Sequence, residues 1–381
     1  MELATFRYQQ GAWSQSFPRL DSANTMIIAF AAPSFHDRPD LLAQLKQAYP
    51  ESTVIGCSTS GEIDHTRIRD ESIVAAAVKF RASRVKHAAT RLSDATESFR
   101  AGARIADELA APDLRAVIVL SEGLHVNGSE LVRGLSSRLP DNVVVTGGLA
   151  GDGDRFGRTW VMANGKVETN GVVAVGLYGG KIRVGHGSKG GWDTFGPERV
   201  VTKSEGNVLF ALDDRPALSL YKEYLGDRAA GLPGSALLFP LALRASTDEA
   251  NSVVRTVLAV DEATQSMTFA GDIPTGHYAK LMRANFDRLI LGAQAAGGAA
   301  VGVAALGDHR GNTLSIAISC VGRRLVLGER TEEETEATLH TLPDGTQQIG
   351  FYSYGEISPH ATGRCDLHNQ TMTLTVLSED P

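Results

Sequence analysis

Three segments of the sequence place a glycine directly before an acidic residue at the end of a predicted strand. The pairs are Gly61-Glu62, Gly151-Asp152 and Gly355-Glu356. Glycine permits a positive φ angle or a close approach of the backbone. The acid after it either caps the next turn or accepts hydrogen bonds from a ligand amine. Loops after strand ends are also where α/β proteins usually bind ligands.

A fourth pair, Gly271-Asp272, follows a predicted hairpin instead of a strand–helix–strand unit. We expect the loops at 57–62, 148–158, 271–273 and 353–357 to line one cavity. Acids brought together in such a cavity have raised pKa values, and they can then serve as general acid and base. The alternative is that each carboxylate caps a turn of its own.

Cys57 is the residue whose side chain is suited to act as a nucleophile. It follows a predicted strand in a loop of small residues, and a thiol attacks when a neighbouring base takes its proton. No histidine is identifiable as that base from the sequence. Two other interpretations place Cys57 in the lining of a ligand site or in the core as a small buried residue.

Two arginines, Arg158 and Arg323, lie near the glycine-rich loops. A guanidinium group paired with Glu62, Asp152 or Glu356 would clamp the carboxylate and the amine of an amino acid. An ordinary salt bridge between two loops is the alternative.

The ten histidines include candidates for a haem ligand. No CxxCH motif is present for covalent attachment, and a b-type haem needs only one axial side chain and an apolar pocket. We favour His186, in a glycine-rich segment beside Trp192, and His368, close to Cys365. Each also fits an ordinary turn or strand position. No HExxH motif or paired cysteines indicate a zinc site.

The composition excludes several classes of protein. The 381 residues carry 37 basic and 44 acidic side chains, a net charge of −7, and no basic run marks a nucleic-acid-binding surface. Three cysteines and no visible signal peptide favour the reducing cytoplasm. No apolar run is long enough for a membrane span. Glycine is abundant, with 40 residues, which indicates many tight turns.

Short β-branched runs alternate with amphipathic stretches, which predicts an α/β fold. We expect two related halves of mixed sheets with helices packed outside, and an internal duplication of a strand–helix–strand–strand unit. The predicted strands are 25–31, 72–80, 116–120, 143–146, 171–178, 313–319 and 371–377. The predicted helices are 38–49 with Asp37 as N-cap, 129–138, 217–225, 276–296 and 332–341. Residues 181–215 are expected to be irregular.

Several motifs resemble those of FIST domains, the sensory domains of F-box and intracellular signal-transduction proteins. The first two signatures correspond to 54–63 and to 148–153 followed by 156–159. The junction between the halves corresponds to 206–209 with 216–218. The C-terminal motifs correspond to 282–285, 319–323 and 350–357. The resemblance extends over roughly residues 23 to 380, with the motifs in the family's order.

The resemblance implies a FIST N-terminal domain at 23–215, a FIST C-terminal domain at 216–362 and a closing strand at 363–381. It also implies an intracellular sensor of a small ligand, which is either an amino-acid-like molecule or haem with nitric oxide. No kinase segment is visible in the sequence, so we expect the sensor to act on a separate partner such as a histidine kinase. Neither nucleic acid nor membrane insertion is expected.

The residues expected to bind the ligand come from the strand-end loops and the two arginines. They are Cys57, Ser58, Thr59, Gly61, Glu62, Gly151, Asp152, Arg158, Arg323, Tyr354 and Glu356. Two other function classes stay open: a hydrolase or transferase that uses Cys57 or the three acids, and a purely structural interaction protein. The sequence favours the binding protein, because no complete set of catalytic residues is readable in it.

Overall fold

The computed structural model describes residues 1–246, 252–306, 311–360 and 365–380, and these form four β-sheets with helices packed on them. The first part of the chain contains β1 (Glu2–Gln9), β2 (Ala12–Trp13), β3 (Thr25–Ala31), α1 (Pro39–Ala48), β4 (Thr53–Ser58), β5 (Glu62–Asp64), β6 (Arg67–Arg69) and β7 (Ile73–Lys79). The second contains β8 (Arg84–Arg91), α2 (Ser98–Leu109), β9 (Leu114–Ser121), α3 (Gly128–Ser136), β10 (Val144–Leu149), β11 (Val161–Ala163), β12 (Lys166–Glu168) and β13 (Gly171–Tyr178).

The central part of the chain is rich in short strands. It contains β14 (Ile182–Lys189), β15 (Asp193–Thr194), β16 (Arg199–Glu205), β17 (Val208–Leu212), β18 (Arg215–Pro216), α4 (Ala217–Leu225), β19 (Leu241–Arg244), β20 (Val253–Arg255), β21 (Val257–Asp261), β22 (Ser266–Phe269) and β23 (Tyr278–Arg283). Strands β15 to β23 form a sheet of their own, and β20 and β21 lie at the two ends of its main strand order.

The last part of the chain returns to the organisation of the first. It contains α5 (Phe286–Ala304), β24 (Leu314–Cys320), α6 (Val321–Leu327), α7 (Thr331–Leu339), β25 (Gln347–Ser353), β26 (Gly355–Pro359), β27 (Cys365–His368) and β28 (Met372–Glu379). Short 3₁₀ helices occur at Pro33–Asp37, Ala95–Glu97, Gly226–Gly231, Gly234–Leu238 and Gly328–Arg330.

One structural unit occurs three times. In each copy two parallel strands are joined through a helix, and a later strand lies antiparallel beside the first. The copies are β3–α1–β4 with β7, β9–α3–β10 with β13, and β24–α6–α7–β25 with β28. This arrangement confirms the predicted mixed α/β class and the internal duplication.

A glycine occupies the same place in the second strand of each copy. A Cβ atom added to Gly56, Gly147 or Gly350 would lie 2.5, 1.8 or 1.7 Å from the carbonyl oxygen of the residue paired with it on the first strand. Real Cβ atoms do not approach so closely, so each copy needs glycine there. The repeated contact shows that part of the glycine excess serves the packing of paired strands.

The three copies exchange hairpins, so that each completes the sheet of another. Hairpin β5–β6 pairs with β25, hairpin β26–β27 pairs with β10, and hairpin β11–β12 pairs with β4. The exchange closes a ring, and the segments that follow β4, β10 and β25 therefore meet. Phe30 and Phe351 stack in the apolar core between the sheets, with ring centroids 4.8 Å apart.

Two predicted elements were wrong. Residues 181–215, expected to be irregular, contain five strands, β14 to β18. The long helix expected from residue 276 begins at Phe286, and Leu281 and Met282 lie on β23 instead. The helix begins there because the side chain of Asn285 accepts a hydrogen bond from the backbone N–H of Arg288 (3.2 Å).

The predicted N-cap of the first helix was also wrong. Helix α1 begins at Pro39, and Asp37 closes the preceding 3₁₀ helix. The carboxylate of Asp37 is engaged by Arg158, whose Nη2 lies 2.6 Å away. Proline fits the first helical position because it has no N–H to satisfy there.

Candidate functional site

The segments that follow β4, β10 and β25 pack directly against one another. The backbone N–H of Gly151 donates to the backbone oxygen of Ser58 (3.1 Å), and the backbone N–H of Tyr354 donates to the backbone oxygen of Leu149 (3.1 Å). The structure thus brings the predicted strand-end loops together. They form a tightly packed centre, in which most of the predicted side chains have protein partners.

Glu62 and Glu356 are buried in that centre and are held by donors of their own units. Glu62 accepts from the hydroxyl of Ser72 (2.6 Å), and Glu356 accepts from the hydroxyls of Ser353 (2.7 Å) and Thr371 (2.9 Å). Burial raises the pKa of each carboxyl group to about 8. The two acids therefore cap turns inside the protein, as one of the sequence-based interpretations held.

Asp152 occupies the third of these positions with a different set of partners. Its carboxylate accepts from the backbone N–H groups of Gly157 and Arg158, both at 2.8 Å, and from the phenol of Tyr354. The Tyr354 ring stacks on Phe156, with centroids 4.8 Å apart and an interplanar angle of 18°. This carboxylate fixes the loop that carries Phe156.

The expectation that Cys57 follows the strand in a loop was wrong, because Cys57 and Ser58 are the last residues of β4, and both are buried. Cys57 lies in the apolar core, and its thiol has no histidine or carboxylate hydrogen-bond partner among the described residues. Burial raises the pKa of this thiol well above its usual value. Ser58 accepts from the backbone N–H of Trp160 (3.1 Å), and the hydroxyl of Thr59 donates to Glu62. A Cβ on Gly61 would collide with Arg324.

This geometry leaves the enzyme alternative without its main groups. A nucleophilic Cys57 needs a base within hydrogen-bond reach, and among the described residues no histidine or carboxyl group makes a hydrogen bond to the buried thiol. The carboxyl groups of Glu62 and Glu356 are engaged by hydroxyl donors within the protein.

The two predicted arginines form ion pairs elsewhere. The exposed guanidinium of Arg158 binds Asp37. The guanidinium of Arg323 is fully buried, and it binds Glu334 at 2.7 Å from Nη2 and 3.0 Å from Nε. It also donates to the backbone oxygens of Gly190 (2.6 Å) and Leu289 (2.9 Å). Arg323 therefore links α6 to α5, to α7 and to the segment after β14. Neither arginine forms an ion pair with an acid of the strand-end loops.

A large cavity, which we call the junction cavity, lies between the edge strands β14 and β20 and the end of hairpin β26–β27. Its volume is about 530 Å³. Pockets that bind small molecules or cofactors commonly have volumes of 300–1,000 Å³. Its apolar lining includes Trp192, Val254, Met282, Val303 and Pro359.

Three histidines line the junction cavity: His186, His360 and His368. Nε2 of His368 lies 3.0 Å from the backbone oxygen of Ser358, and Nε2 of His360 lies 3.3 Å from Oδ2 of Asp366. His186 has no hydrogen-bond partner among the described residues. Both histidines favoured from the sequence therefore face one cavity, together with His360, a candidate that the sequence did not favour.

The charge state of these imidazoles follows from their burial. Burial lowers the pKa of His186, and it lowers the pKa of His368 to about 4, with a further contribution from the neighbouring His360. Both rings are therefore neutral at pH 7, which is the form that ligates metals. Among the lining residues that the structure describes, Lys189, at the exposed end of β14, is the one that carries a positive charge irrespective of histidine protonation.

A second, smaller cavity of about 220 Å³ lies beside the strand-end loops, and we call it the loop cavity. Leu149, Phe156, Gly271 and Tyr354 contribute to its lining. Three of the four loops expected to share a cavity thus do so. The loop at 57–62 does not contribute, because its side chains are packed beneath the other two strand ends.

His360 was not selected as a site residue, because the residues that share its cavity are distant from it in the sequence. His186 lies before residue 215, and Met282 lies after it. The one local signal was the pair His360 and His368 on either side of a short strand connection. Met282 was placed on a helix, so its contribution to the cavity was not foreseen.

Comparison with known proteins identifies two domain families along the chain. The family model of the FIST N domain matches residues 25–215, and that of the FIST C domain matches residues 217–359. Such domains are small-ligand sensory domains of signalling proteins. No curated protein matches the chain. Among the described residues, no helix is long and apolar enough to cross a membrane.

One solved structure, a cyanuric acid hydrolase from A. caulinodans, aligns with 78% of this chain and 100% of its own at 11% sequence identity. The TM-score is 0.20, so this likeness carries no argument about fold or function.

Proposed function

This chain belongs to the FIST family, and we propose that it is a sensory protein that holds haem b in the junction cavity and reports nitric oxide to a separate histidine kinase. The observation that carries the proposal is that His186, His360 and His368 all line one cavity with an apolar wall. An axial imidazole and an apolar pocket are what a b-type haem requires of a protein.

The residues of the junction cavity fit such a group. His186 is our choice of axial ligand, because it is neutral, half-buried and without a hydrogen-bond partner among the described residues. Trp192 and Met282, both nearly buried, shield the cavity from water. Lys189 is suited to pair with a haem carboxylate. Bound haem would supply iron with an open position for a diatomic gas.

The position of the cavity suggests how occupancy reaches a partner. His186 and Trp192 belong to the segment matched by the FIST N domain, whereas Val254 and Met282 belong to the FIST C segment. A ligand held between the two segments favours the arrangement to which it binds better. Both matched segments are sensory domains, so the proposed output is a contact with a separate protein.

An amino-acid-like ligand is not carried forward. Such a ligand needs a cation for its carboxylate, and the two arginines predicted for that role bind Asp37 and Glu334 instead. Among the residues described for the loop cavity, none of the lining side chains is charged.

The test is a haem titration of the purified chain, followed by its visible absorption. We expect a Soret band that is sharper than that of free haem and shifted from it, with a change that saturates at one haem per chain. Val303 lies on the rim of the cavity and is 54% exposed, so Val303→Trp should weaken haem binding at least tenfold. Leu325→Trp is the matched control, because Leu325 is similarly exposed (46%) but lies outside the cavity. A titration in which the Soret band stays that of free haem would remove the proposal.

A further inference from the structure

We propose that the loop cavity is a second ligand site, specific for a small, flat and uncharged aromatic heterocycle. The site is separate from the junction cavity and does not depend on haem. Its wall is formed by Leu124, Val126, Leu149, Phe156, Phe269 and Tyr354.

The size of the cavity sets the size of the occupant. An apolar cavity of about 150 Å³ in another protein accommodates benzene. The loop cavity, at about 220 Å³, has room for a bicyclic ring of the size of indole. It lies below the 300–1,000 Å³ that is common for pockets of larger ligands, so it is too small for a nucleotide or for haem.

The absence of charged side chains in the described wall favours an uncharged ligand. No lining side chain among the described residues is ionisable at neutral pH. Asp152 and Asp272 lie behind the wall, where they accept hydrogen bonds from Tyr354 and from Nδ2 of Asn127 (3.1 Å). Arg255 also lies behind the wall, beside Gly271, and its guanidinium donates to the backbone oxygens of Asp272, Val254 and Leu367. An anion would therefore find no cationic side chain in the lining itself, and a zwitterion would lose hydration without compensation.

Two amide side chains, Asn127 and Asn207, also line the cavity, and Asn207 offers a polar contact. Asn207 donates from Nδ2 to the backbone oxygen of Phe269 (2.7 Å), and its Oδ1 accepts no hydrogen bond from a described residue. An oxygen acceptor in an apolar wall is suited to a ring N–H. This contact distinguishes a heterocycle with a donor from a plain hydrocarbon ring.

Phe156 carries a second, independent sign of function. Its φ angle is +48°, in the left-handed region that bulky residues rarely adopt, and its side chain is 41% exposed. Strained positions of this kind cluster at ligand sites. The strained backbone holds an aromatic ring at the mouth of the cavity, parallel to Tyr354, where a flat ligand can stack against it.

The exposed apolar surface agrees with this assignment. Leu258, which is 37% exposed, lines the same cavity as Phe156. Exposed large apolar side chains that converge on one concave site mark a binding surface.

The experiment measures the binding of indole to the full chain by isothermal titration calorimetry. We expect saturable binding at one indole per chain, weakened at least tenfold by Phe156→Ala and by the cavity-filling Ala270→Phe. Phe99→Ala is the matched control, because Phe99 is similarly exposed (37%) and lies outside the cavity. It should leave the affinity for indole unchanged.

Tryptophan and indole-3-acetate test whether the loop cavity selects uncharged ligands, because both contain the indole ring together with ionised groups. We expect each to bind at least tenfold more weakly than indole. The proposal is overturned if indole does not bind, if tryptophan binds as tightly, or if both cavity variants bind indole like the native chain. Because haem is not involved, none of these outcomes depends on the haem proposal.

Discussion

The rings of His360 and His368 meet edge to face in the wall of the junction cavity, with centroids 4.7 Å apart and an interplanar angle of 68°. His360 is also in contact with Asp366, whereas His368 is in contact with a backbone oxygen. The two imidazoles therefore differ in their surroundings although they lie side by side. Burial keeps His368 neutral, and a proton on His360 would disfavour a second one on it.

The first prediction concerns stability in acid. The pKa of His368 is about 4 in the folded chain and near 6.5 when unfolded, so the folded state binds fewer protons between these values. Stability is therefore lost as the pH falls from about 6.5 to 4. His368→Gln should reduce this loss by about 3 kcal/mol, as measured by urea unfolding at each pH. An unchanged pH profile would contradict the assignment.

The second prediction concerns the loss of stability as the pH rises. The pKa of Glu356 is about 8 in the folded chain, above its ordinary value of 4.5, because burial disfavours the charge. The folded state then binds more protons, and stability falls as the pH rises from about 4.5 to 8. Glu356→Gln should remove part of this pH dependence, and Glu62, whose pKa is also raised to about 8, accounts for the remainder. Glu336→Gln, on the exposed side of α7, is the control and should leave it unchanged.

The third prediction concerns the buried ion pair of Arg323 and Glu334. Removal of one partner leaves a buried charge without compensation, which costs about 3–5 kcal/mol. Arg323→Met should lower the free energy of unfolding by that amount, measured by urea denaturation. Arg330→Met is the control, because its ion pairs with Asp287 and Glu333 are solvent-exposed and should contribute little. Equal effects of the two changes would refute a structural role for Arg323.

The fourth prediction concerns the cysteines. Cys57 and Cys320 are buried and burial raises the pKa of both thiols, so neither should react with Ellman's reagent in the native chain. Cys365 is half-buried and should react first, though slowly. All three should react at once in urea. Cys57 is tested alone in the Cys320→Ser, Cys365→Ser double variant. Rapid reaction of the folded variant with Ellman's reagent would contradict the prediction and show that Cys57 is reactive.

Much of the fold was predictable because its rules are local. Alternating apolar strands and the recurring Gly–acid pairs revealed the repeated unit, and the Asn164-Gly165 turn indicates the hairpin β11–β12. The error at β23 has a local cause as well. Leu281 and Met282 happen to lie at helical spacing from Phe286 and Leu289, and nothing before Asn285 marked the start of the helix.

The site was less predictable because it depends on the hairpin exchange. The sequence grouped four strand-end loops around one cavity, and three of them line it. It could not show that Glu62 and Glu356 would find donors within their own units. It also could not show that β14 and β20 would both be edge strands with a cavity between them. Long-range pairing of that kind leaves no periodic signal in the chain.

The central claim, that His186 binds haem in the junction cavity, is tested most directly by the absorption spectrum of the haem-reconstituted chain beside those of His186→Ala, His360→Ala and His368→Ala. We predict one Soret band in the native chain, and nitric oxide should shift its wavelength. The band should be lost or shifted in His186→Ala, whereas His360→Ala and His368→Ala should retain it. A spectrum unaffected by His186→Ala, or no Soret band in the native chain, would contradict the claim.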